Sequence, residues 1–178
     1  MFLDEARLAA RIRHPNVVEI FEVAPRRLSL ADTITYPDLY SPNDLVAVGP
    51  RQFYASNDRG YREPGLMSTL EGYLQLPVSS VSYFDGKEGR LVAKHLVLAN
   101  GVNVSAGGDR LYVAECLGRD VRVYDRDAAS GDLSERDTIP LGSCPDNIEV
   151  DEQGRLWIGA HAKIFDLLAH TADETKLS

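Results

Sequence analysis

Three stretches of the chain follow one plan. They are NDLVAVGP-RQFYAS starting at Asn43, NGVNVSAGGDRLYVAE starting at Asn100, and DNIEVDEQG-RLWIGA starting at Asp146. Each begins with an Asn or Asp, continues as an alternating apolar strand, and makes a tight turn containing glycine. A second strand follows, with an aromatic residue near its middle: Tyr54, Tyr112 or Trp157. From Asn43 to Asn100 is 57 residues, and from Asn100 to Asp146 is 46. A spacing of ~40–50 residues with several short strands per repeat is the pattern of β-propeller blades. Successive blades place equivalent residues around one axis. The plan therefore predicts that Asn43, Asn100, Asp146 and Asn147 converge on a central channel. Asn, Asp and Gly also favour turns for purely backbone reasons, and ordinary turn residues would give the same letters.

The rest of the chain fits an all-β reading. Short runs rich in Val, Ile, Tyr and Leu, bounded by Gly, Pro, Asn or Asp, predict strands at 17–23, 30–35, 44–49, 52–56, 81–85, 90–98, 110–115, 120–125, 147–151, 155–160 and 163–168. Two segments have helical spacing. Phe2, Leu3, Ala6, Ala9 and Ile12 predict an amphipathic helix over 2–13, stopped by His14-Pro15-Asn16, and GLMSTLEGYLQL predicts a second over 65–76. The expected organisation is a short N-terminal helix (1–15), a partial, incomplete propeller (16–168) and a polar tail (169–178).

Composition narrows the function. The net charge of −8, with no run of Lys or Arg, argues against nucleic acid, because neutralising phosphates needs clustered cations. No apolar stretch approaches the ~18 residues of a membrane span. The N-terminus lacks the uninterrupted apolar core of a secretory signal. The sequence therefore reads as cytoplasmic by default, or periplasmic or secreted were a leader to precede it. Cys116 and Cys144 have no CxxC spacing and lie on different predicted segments, so two reduced, partly buried thiols are expected. No Gly-x-Ser-x-Gly elbow supports a serine hydrolase. YDRDAASGDL (124–133) lacks EF-hand spacing and reads as a hairpin turn. His95 reads as structural or exposed, and His170 lies in the polar tail.

Asn and Asp offer neutral and charged oxygens. Calcium takes ~6–8 such hard donors in irregular geometry, whereas zinc or copper would favour a His or Cys cluster that the sequence does not show. A metal with an open position can polarise a carbonyl and stabilise the oxyanion formed when an ester or lactone is attacked.

The motifs SPNDLVAVGPRQFYASND, LANGVNVS, LYVAE and PDNIEVD…GRLWIGAH resemble the paraoxonase/arylesterase family over residues ~17–168. Its members are six-bladed propellers with calcium in the channel that hydrolyse lactones and aryl esters. The resemblance implies that Asn43, Asn100, Asp146 and Asn147 bind a catalytic calcium and that Asp44 binds a second, structural one. It also implies that His14 and His161 serve as catalytic histidines. Arg59 stands where the family tends to have a histidine, and Leu98 where an aromatic is common; both bear on the pocket rim. The family pattern includes a Glu-Asp pair and a further histidine upstream, and another blade downstream. On that pattern this sequence forms an open arc, whose free sheet edges invite self-association. Residues 2–23 also resemble part of a bacterial serine/threonine protein kinase, with Glu5 as its ion-pairing glutamate. The glycine-rich loop, VAIK lysine, HRD and DFG are absent, which excludes kinase activity. The expected function is calcium-dependent hydrolysis of a small lactone or aryl ester. The alternatives are a non-catalytic propeller that binds calcium or a partner, and a sugar-lactone hydrolase of the gluconolactonase type.

Overall fold

The computed structural model describes residues 9–11, 18–24, 27–61 and 66–161. Among them, strands follow one another in four antiparallel up-and-down sheets, each strand paired with its neighbour in sequence. The first sheet holds β1 (Ala9–Arg11), β2 (Val18–Ala24) and β3 (Arg27–Ile34). The second holds β4 (Pro42–Gly49), β5 (Gln52–Asn57), β6 (Ser79–Phe84) and β7 (Gly89–Leu96), with helix α1 (Leu66–Tyr73) inserted between β5 and β6. The third comprises β8 (Ala99–Val104), β9 (Arg110–Glu115), β10 (Asp120–Arg126) and β11 (Leu133–Pro140). The last described pair is β12 (Cys144–Val150) and β13 (Leu156–His161). This is a partial β-propeller. No helix among the described residues is long and apolar enough to cross a membrane.

Each core lies between sheets. Strand β5 shows why: Phe53 and Ala55 pack toward the first sheet, with Val18, Ile34 and Leu39, while Tyr54 points the other way, into a cluster with Leu111 and Val113 of the third. Strand β9 repeats the device. Leu111 and Val113 face the second sheet, and Tyr112 and Ala114 join Ile148 of β12. The period-2 alternation of a strand thus feeds two different cores. No blade buries its faces alone, so each depends on its neighbours. The second and third sheets are also tied by polar contacts. The Tyr54 hydroxyl donates to the Gly131 carbonyl (2.9 Å), and Arg126 Nε donates to the Tyr54 oxygen (3.0 Å). Gly131 has a φ of 76°, and a Cβ there would fall 2.1 Å from the Tyr83 ring, so only glycine fits.

Two expectations are corrected. The helix expected over 2–13 is not what the described part forms. Ala9–Arg11 is a strand, with Ala9 opposite Phe21 and Arg11 opposite Glu19, and it belongs to the first sheet. Ladder pairing to β2 overrides a local helical preference worth only tenths of a kcal/mol per residue. The remainder of that segment, the strand expected at 163–168 and the tail at 169–178 lie outside the described residues. The cysteines are not free thiols: Cys116 and Cys144 form a disulfide, with Cα atoms 4.2 Å apart. One follows the end of β9 and the other begins β12, so the topology brings together two residues 28 apart in sequence.

Candidate functional site

The polar lead-ins of the repeat share one backbone device. Strands β4, β8 and β12 begin the second, third and fourth sheets, and β8 packs between the other two. In β4 the register jumps between Pro42, opposite Asn57, and Leu45, opposite Ala55. Asn43 and Asp44 therefore share a single partner, Ser56. In β8 the jump lies between Ala99 and Val102, so Asn100 and Gly101 share Ala114. In β12 it lies between Pro145 and Ile148, so Asp146 and Asn147 share Gly159. These are three β-bulges, each setting two residues against one small one. A bulge releases a residue from strict alternation and re-aims its side chain, which is why bulges recur beside active sites. All five residues expected to bind calcium occupy bulge positions.

The bulges lie close together. A Cβ on Gly101 would come 2.3 Å from the Asp146 carbonyl oxygen and 2.8 Å from Asn147 Cα, so β8 and β12 meet at their bulges. Asp44 joins β4 to β8: its Oδ2 accepts the Val102 N–H (2.8 Å), and its Oδ1 accepts the N–H of Leu45 (2.8 Å). Burial raises the Asp44 pKa above its ordinary 3.8; the two N–H bonds oppose this, and the charges of Glu149 and Asp146 add to it. A carboxylate crowded by two others in a partly dry site is the electrostatic setting that a cation relieves.

Asn100 provides the second sign. It is 9% exposed, and its side-chain oxygen is buried with no hydrogen-bond partner. An unsatisfied buried carbonyl costs roughly 1–3 kcal/mol, and such an atom in a native fold calls for an explanation. Asp146 Oδ2 lies 2.9 Å from His161 Nε2, at the end of β13. Asn43 and Asn147 are exposed. No cluster of three or more His, Cys, Asp or Glu residues placed to hold a metal occurs among the described residues. The three bulges carry residues of amide and carboxylate type, the donor chemistry that suits a hard cation. His14 lies outside the described residues.

Sequence reasoning did not single out Glu149 or Gly101. Glu149 adds charge toward Asp44, and Gly101 permits the close approach of β8 and β12. The signal for Gly101 was present: it follows Asn100, inside the two-residue lead-in that all three repeats share. A cleft of about 270 Å³ also lies at this side of the second sheet, lined by Tyr40, Tyr61, Ser80, Leu91, Lys94 and His95.

Comparison with known proteins bears on family and fold. The sequence model of the Arylesterase family matches residues 7–178, which includes most of the kinase-like stretch. The chain is 38% identical to human serum paraoxonase/arylesterase 1 over 164 residues, 89% of this chain and 46% of that protein. It is 36% identical to rat serum paraoxonase/arylesterase 2 over 156 residues, 84% of this chain and 44% of that protein. The chain therefore spans less than half the length of these curated relatives. A solved luciferin-regenerating enzyme superposes with a TM-score of 0.55 at 18% identity, covering 82% of this chain and 49% of its own. A solved candidate gluconolactonase gives 0.54 at 18% identity, covering 83% and 56%. Those two likenesses concern the fold. By the match to its family model, this chain belongs to the Arylesterase family.

Proposed function

We propose that this chain carries the cation site of a calcium-dependent hydrolase of aryl esters and lactones. In this reading Asn43, Asn100, Asp146 and Asn147 hold the catalytic calcium, and Asp44 holds a second one. The observation that carries it is the buried, unpartnered Asn100 oxygen within a group of three bulges that also gathers Asp44 and Asp146. Family membership supports the substrate class.

Bound calcium would supply a Lewis acid for the ester carbonyl oxygen and would balance the crowded carboxylates. The chain's own residues do the rest. Asn100 presents a neutral oxygen that needs no proton removed before it can bind a cation. Asp44 accepts from the Val102 backbone, which fixes the spacing of β4 to β8. Asp146 holds His161 through Nε2, which leaves Nδ1 to take a proton from an attacking water. His14 is the second candidate for proton transfer. A second copy of the chain, paired at a sheet edge, is the expected macromolecular partner.

The test is a thermal melt in calcium and in EDTA, followed by assays with phenyl acetate and a simple lactone. Calcium at ~100 times its Kd should stabilise the fold by about 2.7 kcal/mol. Asn100→Ala and Asp146→Ala should each abolish both that shift and the hydrolysis. Wild-type rates in either variant would overturn the assignment.

A further inference from the structure

The disulfide lies at the same end of the sheets as the bulges. Cys116 directly follows Glu115, which stands opposite Ala99, the residue before Asn100. The Cys116 backbone N–H donates to the Leu98 carbonyl (3.0 Å), two residues before Asn100. Leu98 has a φ of 56°, a left-handed conformation that leucine rarely adopts, so an outside contact must hold it there. On the other side, Cys144 opens β12 opposite His161 and lies two residues before Asp146. The bridge thus runs from the segment that presents Asn100 to the segment that presents Asp146 and Asn147. Further along the same strands, β8 and β12 are joined by Asn103 Nδ2 donating to the Ile148 carbonyl (2.9 Å).

We propose that the Cys116–Cys144 disulfide is a positioning cross-link for the cation site. It sets the separation of Asn100 from Asp146, and its reduction releases the site. The functional half of this inference rests on the calcium reading above; the structural half does not. Opening the bond takes two electrons and two protons from an external dithiol. A thiolate of the reductant attacks one sulfur, the other cysteine leaves and is protonated, and the second thiol of the reductant resolves the mixed disulfide. The products are two cysteine thiols and the oxidised, cyclic reductant. Both cysteines are 2% exposed, so reduction must proceed through local opening of this end of β12. Linkage is reciprocal: if the bond strengthens cation binding, the bound cation protects the bond from reduction by the same factor.

The experiment compares hydrogen exchange of the intact chain in EDTA in three forms: oxidised, reduced with dithiothreitol, and as the Cys116→Ser/Cys144→Ser variant. The reduced wild-type chain serves alone if the variant does not fold. Exchange should rise about tenfold in peptides covering 98–104 and 143–150, stay unchanged in β5 and β6, and return to its starting value on reoxidation. No change, or an equal rise in every sheet, overturns the proposal, because the bond would then be idle or a general staple. Calcium titration of the same samples reads the functional half. Reduced and serine forms should bind about tenfold more weakly than the oxidised chain, a coupling of the ordinary size between linked sites. Equal affinities overturn the link to the site. If no form binds calcium, the calcium reading fails, and the exchange pattern still decides for or against the cross-link.

Discussion

Gly101→Ala tests the claim that β8 and β12 meet at their bulges. The new methyl would sit 2.3 Å from the Asp146 carbonyl oxygen, 2.8 Å from Asn147 Cα and 2.9 Å from Ile148 N. Non-bonded carbon contacts settle near 3.5–4.0 Å, so one strand must move by about 1 Å. All three obstacles are backbone atoms of β12, and none is the end of a flexible side chain. Overpacking of this kind costs about 1–3 kcal/mol, and rigid neighbours place this case at the upper end. Removing a glycine from a strand returns about 0.5–1 kcal/mol of chain entropy. The net loss is then about 2 kcal/mol, and a domain of this size should lose roughly 4–8 °C in Tm. Melts followed by circular dichroism in EDTA keep cation binding out of the comparison. Gly142→Ala is the control: it lies just before β12 with nothing within 4 Å of the added Cβ, and should stay within about 0.5 kcal/mol of wild type. A Gly101→Ala chain that melts within about 1 °C of wild type, or a control that falls equally far, would refute the close approach of the two bulges.

Two further predictions concern the scaffold. Glu115 is fully buried and accepts from the Arg122 guanidinium and from the Val97 N–H, so Arg122→Ala strands a buried carboxylate and should cost about 3 kcal/mol in urea unfolding. Burial holds the Glu115 pKa above its ordinary 4.5. The folded state therefore binds the proton more tightly than the unfolded state, and the variant should lose stability as pH rises from 4.5 through that raised pKa; a gain over that range would contradict it. The second prediction uses Trp157, the only tryptophan in the chain, whose indole N–H donates to Asp151 Oδ2 (2.8 Å). That bond, with those from Arg155 and Gln153, lowers the Asp151 pKa below 3.8. Trp157 emission should therefore titrate with a midpoint below pH 3.8 and lose the transition in Asp151→Asn. The stability from this carboxylate is present above pH 3.8 and disappears as pH falls through the lowered value; an emission midpoint at or above 3.8 rules the arrangement out.

The strands that sequence revealed are those whose side chains pack. Strand β9 falls at 110–115, as its alternation predicted, because Leu111 and Val113 fill one core while Tyr112 and Ala114 fill the next. Strand β11, LSERDTIP, had no signal. It is the outer strand of its sheet, and Ser134 to Pro140 are exposed, so nothing selects apolar residues there. At Ala9–Arg11 a strand replaces the expected helix for the converse reason: helical spacing is a local signal, and a ladder with β2 is a non-local one. The disulfide was hidden in the same way, because its two partners meet only once adjacent blades are stacked.

The lead-in residues of the candidate site were legible in the repeat, and the bulges give the physical reason. A residue within a regular ladder answers to packing on its face, so its identity reports on the core. A residue released by a bulge is freed from strict alternation, so a polar identity there reports on more than the core face. Asn43, Asp44, Asn100, Asp146 and Asn147 stood out because polar letters broke an apolar alternation at the same place in three repeats. The residues facing the bulges were not visible in that way. Ser56, Ala114 and Gly159 each face two backbone residues at once, an arrangement that appears only once register is known. Glu149 was also hidden, since an exposed glutamate in a strand looks like any solvated charge until Asp44 is found within its field. What sequence conveyed was the polar lead-ins. What folding added was the close approach of β8 to β12, which Gly101 permits and the Cys116–Cys144 bridge spans at the start of β12.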